Sequence, residues 1–143
     1  MKNQNYVAWT DALHIGIEDI DEQHKRLIAL INDVWKALMS HQATVDIESI
    51  VFDLEDYTLT HFKDEEEMLA RHGYPGLSAH QESHALFISK VKELDARIAS
   101  GQIVGLELLE FLSDWLKFHI SIVDKQYAEF IRGKEAAAGA AES

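Results

Sequence analysis

Residues 73–84 read GYPGLSAHQESH. This stretch holds the chain's only proline, two of its seven glycines, and then two histidines four apart. Glycine and proline stop helices, whereas residues four apart on a helix share one face. The segment therefore reads as a helix end, a tight connection, and a new helix that aims His80 and His84 the same way. A chain with eight histidines and no cysteine has placed two of them one helical turn apart.

Working outward, the other glycines divide the chain in the same manner, at positions 16, 101, 105, 133 and 139. Between them lie four stretches with a helical repeat of apolar residues. The first is expected to begin after Asp19, with Asp19 and Glu22 as a capping box, and to end near Ser40. Its stripe is His24, Leu27/Ile28, Ile31, Val34/Trp35 and Leu38. The second is expected from Asp46 to His72, stopped by Gly73, with Ile50, Leu54, Tyr57, His61, Glu65 and Met68 in line. The third opens at Ser78, with Gln81 completing another capping box, and carries His80, His84, Phe87, Val91, Leu94 and Ile98. The fourth runs from Gly105 to Arg132, with Leu108, Leu112, Trp115, His119 and Ile122 on its face.

Three short connections between helices of about 20 to 28 residues force neighbours to be antiparallel. The expected fold is all-α: an antiparallel up-down-up-down four-helix bundle with an N-terminal irregular arm. Residues 1–133 form the bundle domain, the arm being 1–18, with Ile15 or Ile17 packing back onto it. Residues 134–143 are expected as a flexible alanine-rich tail.

The chain has 143 residues, enough for one domain with a substantial core. Its formal net charge of −12 repels nucleic acid and anionic lipid. No apolar run approaches the roughly 18 residues of a membrane span. The start, MKNQNYVAW, lacks the apolar core of a secretory signal, so a cytoplasmic location is expected. The absence of cysteine removes disulfides and thiolate metal sites.

In an antiparallel bundle, the starts of odd helices and the ends of even helices meet. That rule puts His24, His61, Glu65, His80, His84, His119 and Asp124 in one layer. Five imidazoles and two carboxylates buried together leave many polar atoms unpaired, at about 1 to 3 kcal/mol each. A bound cation removes that cost. Seven ligands exceed the four of a structural zinc site and suit two ions sharing bridging carboxylates. Imidazole and carboxylate donors fit iron, manganese, zinc or copper. Neither a metalloprotease H-E-x-x-H nor the Glu-x-x-His of ferritin-like bundles is present. Few anionic donors tilt such a site toward binding oxygen rather than activating it.

Glu65 is taken from the run Glu65-Glu66-Glu67 because it lies four past His61; Glu66 and Glu67 turn away and read as surface charge. Asp124 lies five past His119, about 140° off the same face of an α-helix. Either it reaches in from the flank of a wide polar layer or the helix widens into a local π-type turn, and the π-type turn is favoured. Tyr127, three past Asp124, is placed to hydrogen-bond near the site. His14 and His41 read as surface residues. His72 lies roughly 10 Å beyond Glu65 along the axis and caps the helix end instead of binding metal.

The segments GIEDIDEQHKRL, HFKDEEEM, GYPGLSAHQESH and WLKFHISIVDKQY, spanning residues 16–127, resemble the hemerythrin family in its single-domain bacteriohemerythrin form. The resemblance implies a non-haem centre of two iron ions that binds O2 reversibly. It implies one iron on His80, His84 and His119, and the other on His24 and His61. Glu65, Asp124 and an oxo or hydroxo group would bridge them. The two-histidine iron keeps a vacant position, where the family holds O2 reduced to hydroperoxide. Helical geometry walls the cavity with Leu27, Ile28, Tyr57, Phe87, Trp115 and Ile122, with Phe62 and Ile120 beside ligands. The resemblance places apolar groups at Leu27, Phe62, Phe87, Trp115, Ile120 and Ile122.

The function expected is therefore oxygen binding and transport: a carrier, store or scavenger and not an enzyme, with O2 the one partner implied. Two alternatives stand beside it: an O2, redox or iron sensor module, and a di-iron peroxidase or nitric-oxide-handling enzyme. The chain carries no recognisable signalling segment, which favours the carrier over the sensor. No acid or base is placed beyond the ligands, which disfavours dedicated catalysis.

Overall fold

A computed structural model describes residues 6–41 and 44–142, and their side chains except at 44–45 and 139–142. Residues 1–5 of the expected arm and Ser143 of the expected tail lie outside the described residues. After a 3-10 turn at Asp11–Leu13 come α1 (Glu18–Met39), α2 (Thr44–Arg71), α3 (Leu77–Ala99) and α4 (Gly105–Phe118). A π-helical turn, His119–Asp124, then leads without a break into α5 (Lys125–Glu142). The α4–π–α5 rod is the fourth element of an antiparallel four-helix bundle, and no strand occurs among the described residues. Helix α1 packs on α2, α2 on α3, α3 on α4, and α4 back on α1.

Where each helix stops follows from backbone chemistry. Past α2, Tyr74 N–H bonds to Leu69 C=O and Gly73 N–H to Ala70 C=O. Past α3, Gln102 bonds Arg97 and Gly101 bonds Ile98 in the same pattern. Both are Schellman ends, which satisfy otherwise orphaned carbonyls and require a left-handed residue. Gly73 (φ +65°) and Gly101 (φ +93°) supply it.

The helix starts depart from expectation. Helix α1 begins at Glu18 with Ile17 at the N-cap, and α3 begins at Leu77 with Gly76 at the N-cap; neither is capped by a side chain. Asp19 lies inside the first turn with Glu18 and Asp21, where negative charge meets the positive end of the helix dipole. Asp21 has a different task. Its carboxylate accepts from Ile15 N–H at 2.9 Å and Gly16 N–H at 3.1 Å.

Those bonds anchor the arm. Asn32, buried within α1, accepts from Val7 N–H and donates to Val7 C=O, both at 2.9 Å. Val7, Leu13 and Ile15 are buried, and Ile17 packs partly against the core. The 3-10 turn lies against the π turn. Arg132 of α5 donates to Ile15 C=O at 2.7 Å.

The bundle's middle is apolar, with Val34, Val51, Leu54, Val91, Leu94 and Leu112 almost wholly buried. Each such side chain contributes roughly 1.5–3 kcal/mol. The alanine-rich segment is part of α5, which runs on to Glu142. No helix among the described residues is long and apolar enough to cross a membrane.

Asn32→Ala removes both bonds to Val7 and leaves that residue's buried amide and carbonyl unpaired. Denaturant unfolding is expected to show a loss of about 1–3 kcal/mol, with faster hydrogen exchange in the arm.

Candidate metal centre

The π turn decides whether the seven polar side chains meet. An α-helix would turn Asp124 away from His119. A turn closed by i→i+5 bonds advances only roughly 80° per residue, so positions five apart come back onto one face. His119 and Asp124 are its first and last residues, and both are buried. The same change of pitch swings Ile122 outward. It was expected on the inner face and is instead 49% exposed.

Helix α1 contributes His24, α2 contributes His61 and Glu65, and α3 contributes His80 and His84. All seven are buried, with Glu65 and Asp124 at 0% exposure. Their atoms sort into two groups around the carboxylates. Glu65 Oε1 contacts His80 Nε2 and lies 3.1 Å from His84 Nε2 and 3.9 Å from His119 Nε2. Glu65 Oε2 lies 3.3 Å from His61 Nε2 and 3.7 Å from His24 Nε2. Asp124 repeats the division: Oδ1 is 3.1 Å from His119 and 3.3 Å from His80, while Oδ2 is 3.2 Å from His24. Each carboxylate thus turns one oxygen to a three-histidine side and the other to a two-histidine side. Glu65, His80, His84 and His119 are close enough to hold one cation, and His24, His61 and Glu65 another.

The donor atoms fit a cation better than they fit each other. Both Asp124 oxygens are buried and, despite ring nitrogens 3.1–3.3 Å away, neither forms a properly directed hydrogen bond. His119 Nε2 lies 3.2 Å from His84 Nε2 and 3.3 Å from His80 Nε2. Two donors about 2.1 Å from one cation, at 90 to 109°, are themselves roughly 3.0–3.4 Å apart.

The far side of three rings is tied down. His61 Nδ1–H donates to Gln23 Oε1 at 2.6 Å, and His84 Nδ1–H to Glu66 Oε2 at 2.8 Å. His119 Nδ1 lies 3.2 Å from Ser83 Oγ. A hydrogen bond donated by Nδ1 leaves Nε2 free as a donor to metal. Glu66, read from sequence as surface charge, therefore belongs to the centre's surroundings, while Glu67 is exposed as expected. Gln23 and Ser83 were missed as well. Each of the three sits beside one of the seven on its own helix and holds the ring of another on the next. A polar residue flanking His24, Glu65 and His84 was the signal available. His24 Nδ1 is buried without a partner.

Aromatic rings pack against the histidines. Phe62 stacks on His84 with centroids 3.7 Å apart, and Trp115 on His119 at 4.2 Å. Phe87 lies 4.4 Å from Trp115, and Leu27 and Ile120 are buried. Tyr127 donates its hydroxyl to Glu65 Oε2 at 3.0 Å. Burial, with the charges of Glu65 and Asp124, raises the Tyr127 pKa well above 10, so the hydroxyl keeps its proton. His14 is exposed and faces Asp21 at 3.4 Å. His72 contributes its carbonyl, not its ring, to a bond from Lys134.

Electrostatics tie the layer together. Burial opposes the His24 cation, but Asp124 and Glu65 outweigh it and carry its pKa up to about 9. His119 reaches about 9 in the same way, with Asp124 dominant over Glu65. Burial pushes Glu65 upward, yet His119, His24, His61 and His80 hold it well below the usual carboxylate range. Asp124 is lowered by His119 and His24 against both burial and repulsion from Glu65.

A closed bundle with buried imidazoles and carboxylates at one end defines a class, the helical proteins with a histidine–carboxylate cation site. The family model for the "Hemerythrin HHE cation binding domain" matches residues 15–131. The chain is 39% identical over 127 residues to a bacteriohemerythrin of Pseudomonas aeruginosa (strain PAO1), covering 89% of this chain and 82% of the relative. It is 37% identical over 126 residues to one from Stenotrophomonas maltophilia (strain R551-3), covering 88% and 82%. A crystal structure of wild-type hemerythrin superposes with a TM-score of 0.78 at 28% identity, covering 87% of this chain and 96% of that one. The chain belongs to the hemerythrin family.

His24 and His119 bind protons more tightly folded than unfolded. Their contribution to metal-free stability is full below pH 6.5 and is lost as pH rises through about 9. Glu65 and Asp124 act oppositely, contributing above their ordinary pKa of 4.5 and 3.8 and losing that contribution in acid. At pH 7 a cation must displace the imidazole protons. Filling both halves with divalent ions is expected to release about two protons per chain, one each from His24 and His119, with affinity rising toward pH 9. A pH-stat titration checks this, and no release at pH 7 would contradict it.

Proposed function

We propose that the chain binds dioxygen reversibly at a pair of non-haem irons, as an oxygen carrier, store or scavenger. His80, His84 and His119 would hold one iron, His24 and His61 the other, with Glu65 and Asp124 shared between them. A single observation carries the reading: both buried carboxylates divide their oxygens between the two histidine groups. A pair of irons held there would supply the two electrons that haem-free binding of dioxygen takes, and His24 and His61 offer one imidazole fewer than the other half. The match to bacteriohemerythrins supports the choice of iron.

The protein's own part is positional. Gln23, Glu66 and Ser83 hold three imidazoles by their outer nitrogens. Phe62, Phe87, Trp115, Leu27 and Ile120 supply apolar bulk around the layer, which keeps out the water and protons that would discharge a reduced oxygen species. The Tyr127 proton is committed to Glu65.

Anaerobic loading with ferrous iron is expected to give two ions per chain. Visible absorption should rise on admitting oxygen and fall on removing it, over repeated cycles. His61→Ala is expected to keep the three-histidine ion, lose the other, and abolish the reversible signal. A wild-type stoichiometry of one, or a single irreversible oxidation, would reject the reading.

A further inference from the structure

Helices α2 and α3 leave a cavity of about 630 Å³ on the bundle's flank, level with the metal centre. Phe62, Ile88 and Ala85 are among its apolar lining residues, and Glu66 and His84 also line it. Exposed Lys63, Glu67 and Gln81 stand around it. Of the five rings, His84 is thus reached from an open cavity on one side and faces the carboxylate cluster on the other.

Four of the five rings differ in what their outer nitrogens meet. His61 has a neutral amide, His119 a hydroxyl, and His24 nothing. Among the described residues, His84 alone has a carboxylate against Nδ1, Glu66 Oε2 at 2.8 Å. The Glu66 side chain is 26% exposed, whereas every ligand side chain is at most 4% exposed. The stacked Phe62 ring, parallel to within 1°, holds the imidazole plane. The bond to Glu66 therefore has a fixed direction.

We propose that Glu66 is a positioning residue that concentrates electron density on the three-histidine half of the centre, acting through His84. A carboxylate that accepts the Nδ1 proton draws the ring toward imidazolate and makes Nε2 a stronger donor. Among the described residues the two-histidine side has no counterpart, His61 meeting an amide and His24 no partner. The two metal positions are thus electronically unequal beyond their count of histidines. The three-histidine ion binds more tightly and is the one whose higher oxidation state is favoured. This inference rests on the metal-centre reading above but adds a role that the ligands alone do not define.

Glu66→Gln keeps the shape and removes the charge. Glu67→Gln makes the same change of net charge one residue along, at an exposed position outside the centre. Cobalt(II) affinity is measured by competition with a chelator, and the midpoint potential by redox titration of the iron-loaded protein. Glu66→Gln is expected to weaken the tighter cobalt site by about 10- to 100-fold and to raise the midpoint. Glu67→Gln should match the wild type in both. Thermal unfolding of the metal-free variants checks that the fold is kept. Should the glutamine variant not fold, Glu66→Asp, which retains charge with a shorter reach, is expected to show an intermediate loss. Equal behaviour of the Glu66 and Glu67 variants would overturn the proposal, as would a loss of affinity with an unchanged midpoint. A wild-type stoichiometry of one cobalt would overturn the paired-iron reading alone, since the comparison at the tighter site still stands.

Discussion

Two carboxylates with no solvent exposure, Glu65 and Asp124, impose the constraint from which the rest of this bundle follows. A charge so deeply buried is costly unless opposite charge or directed donors surround it. Five imidazoles from four elements provide that surrounding. In the metal-free protein they do so by taking up protons, which is why His24 and His119 are pushed to about 9. A cation does the same more compactly, because one ion accepts several lone pairs at once. The layer is therefore prepared for metal by the compensation that lets it fold without metal.

That compensation depends on a single local departure from helical regularity. The π turn at His119–Asp124 adds one residue to a turn and re-phases everything after it. Asp124 enters the core, Ile122 leaves it, and Tyr127, Ala128 and Ile131 become the buried face of α5. The arm lies against this turn, held by Asp21 and Arg132 at Ile15 and by Asn32 at Val7. Wide turns are rare because their backbone packs less well. Here the apolar residues of the arm, Leu13 and Ile15, add packing at the same place.

Around the layer, support passes from each helix to the next. Gln23 of α1 serves His61 of α2, Glu66 of α2 serves His84 of α3, and Ser83 of α3 serves His119. A residue adjacent to a ligand points about 100° round the helix, toward the neighbouring helix rather than the centre. The ligand and its neighbour's support are thus encoded side by side. The chain of support does not close, since the outer nitrogen of His24 finds no partner.

The sequence by itself determined the helices, their order and the seven residues that share a layer. Apolar spacing and the four-residue steps from His61 to Glu65 and from His80 to His84 are properties of one helix each. The five-residue step from His119 to Asp124 pointed to a π turn without requiring one, since Asp124 could also have reached in from the flank of a wide polar layer. Read in isolation, Asp19 and Ser78 suggested caps, Glu66 suggested surface charge, and Ile122 suggested a lining. Tertiary structure decided otherwise. Helix α1 starts before Asp19, while Asp21 holds the arm, and Glu66 reaches a ring eighteen residues away. Ile122 is carried outward by a change of pitch that a fixed 100° step does not follow. Single-helix geometry says which way a side chain leaves its axis. What it meets there depends on a second helix, whose distance and rotation are set only when the bundle packs.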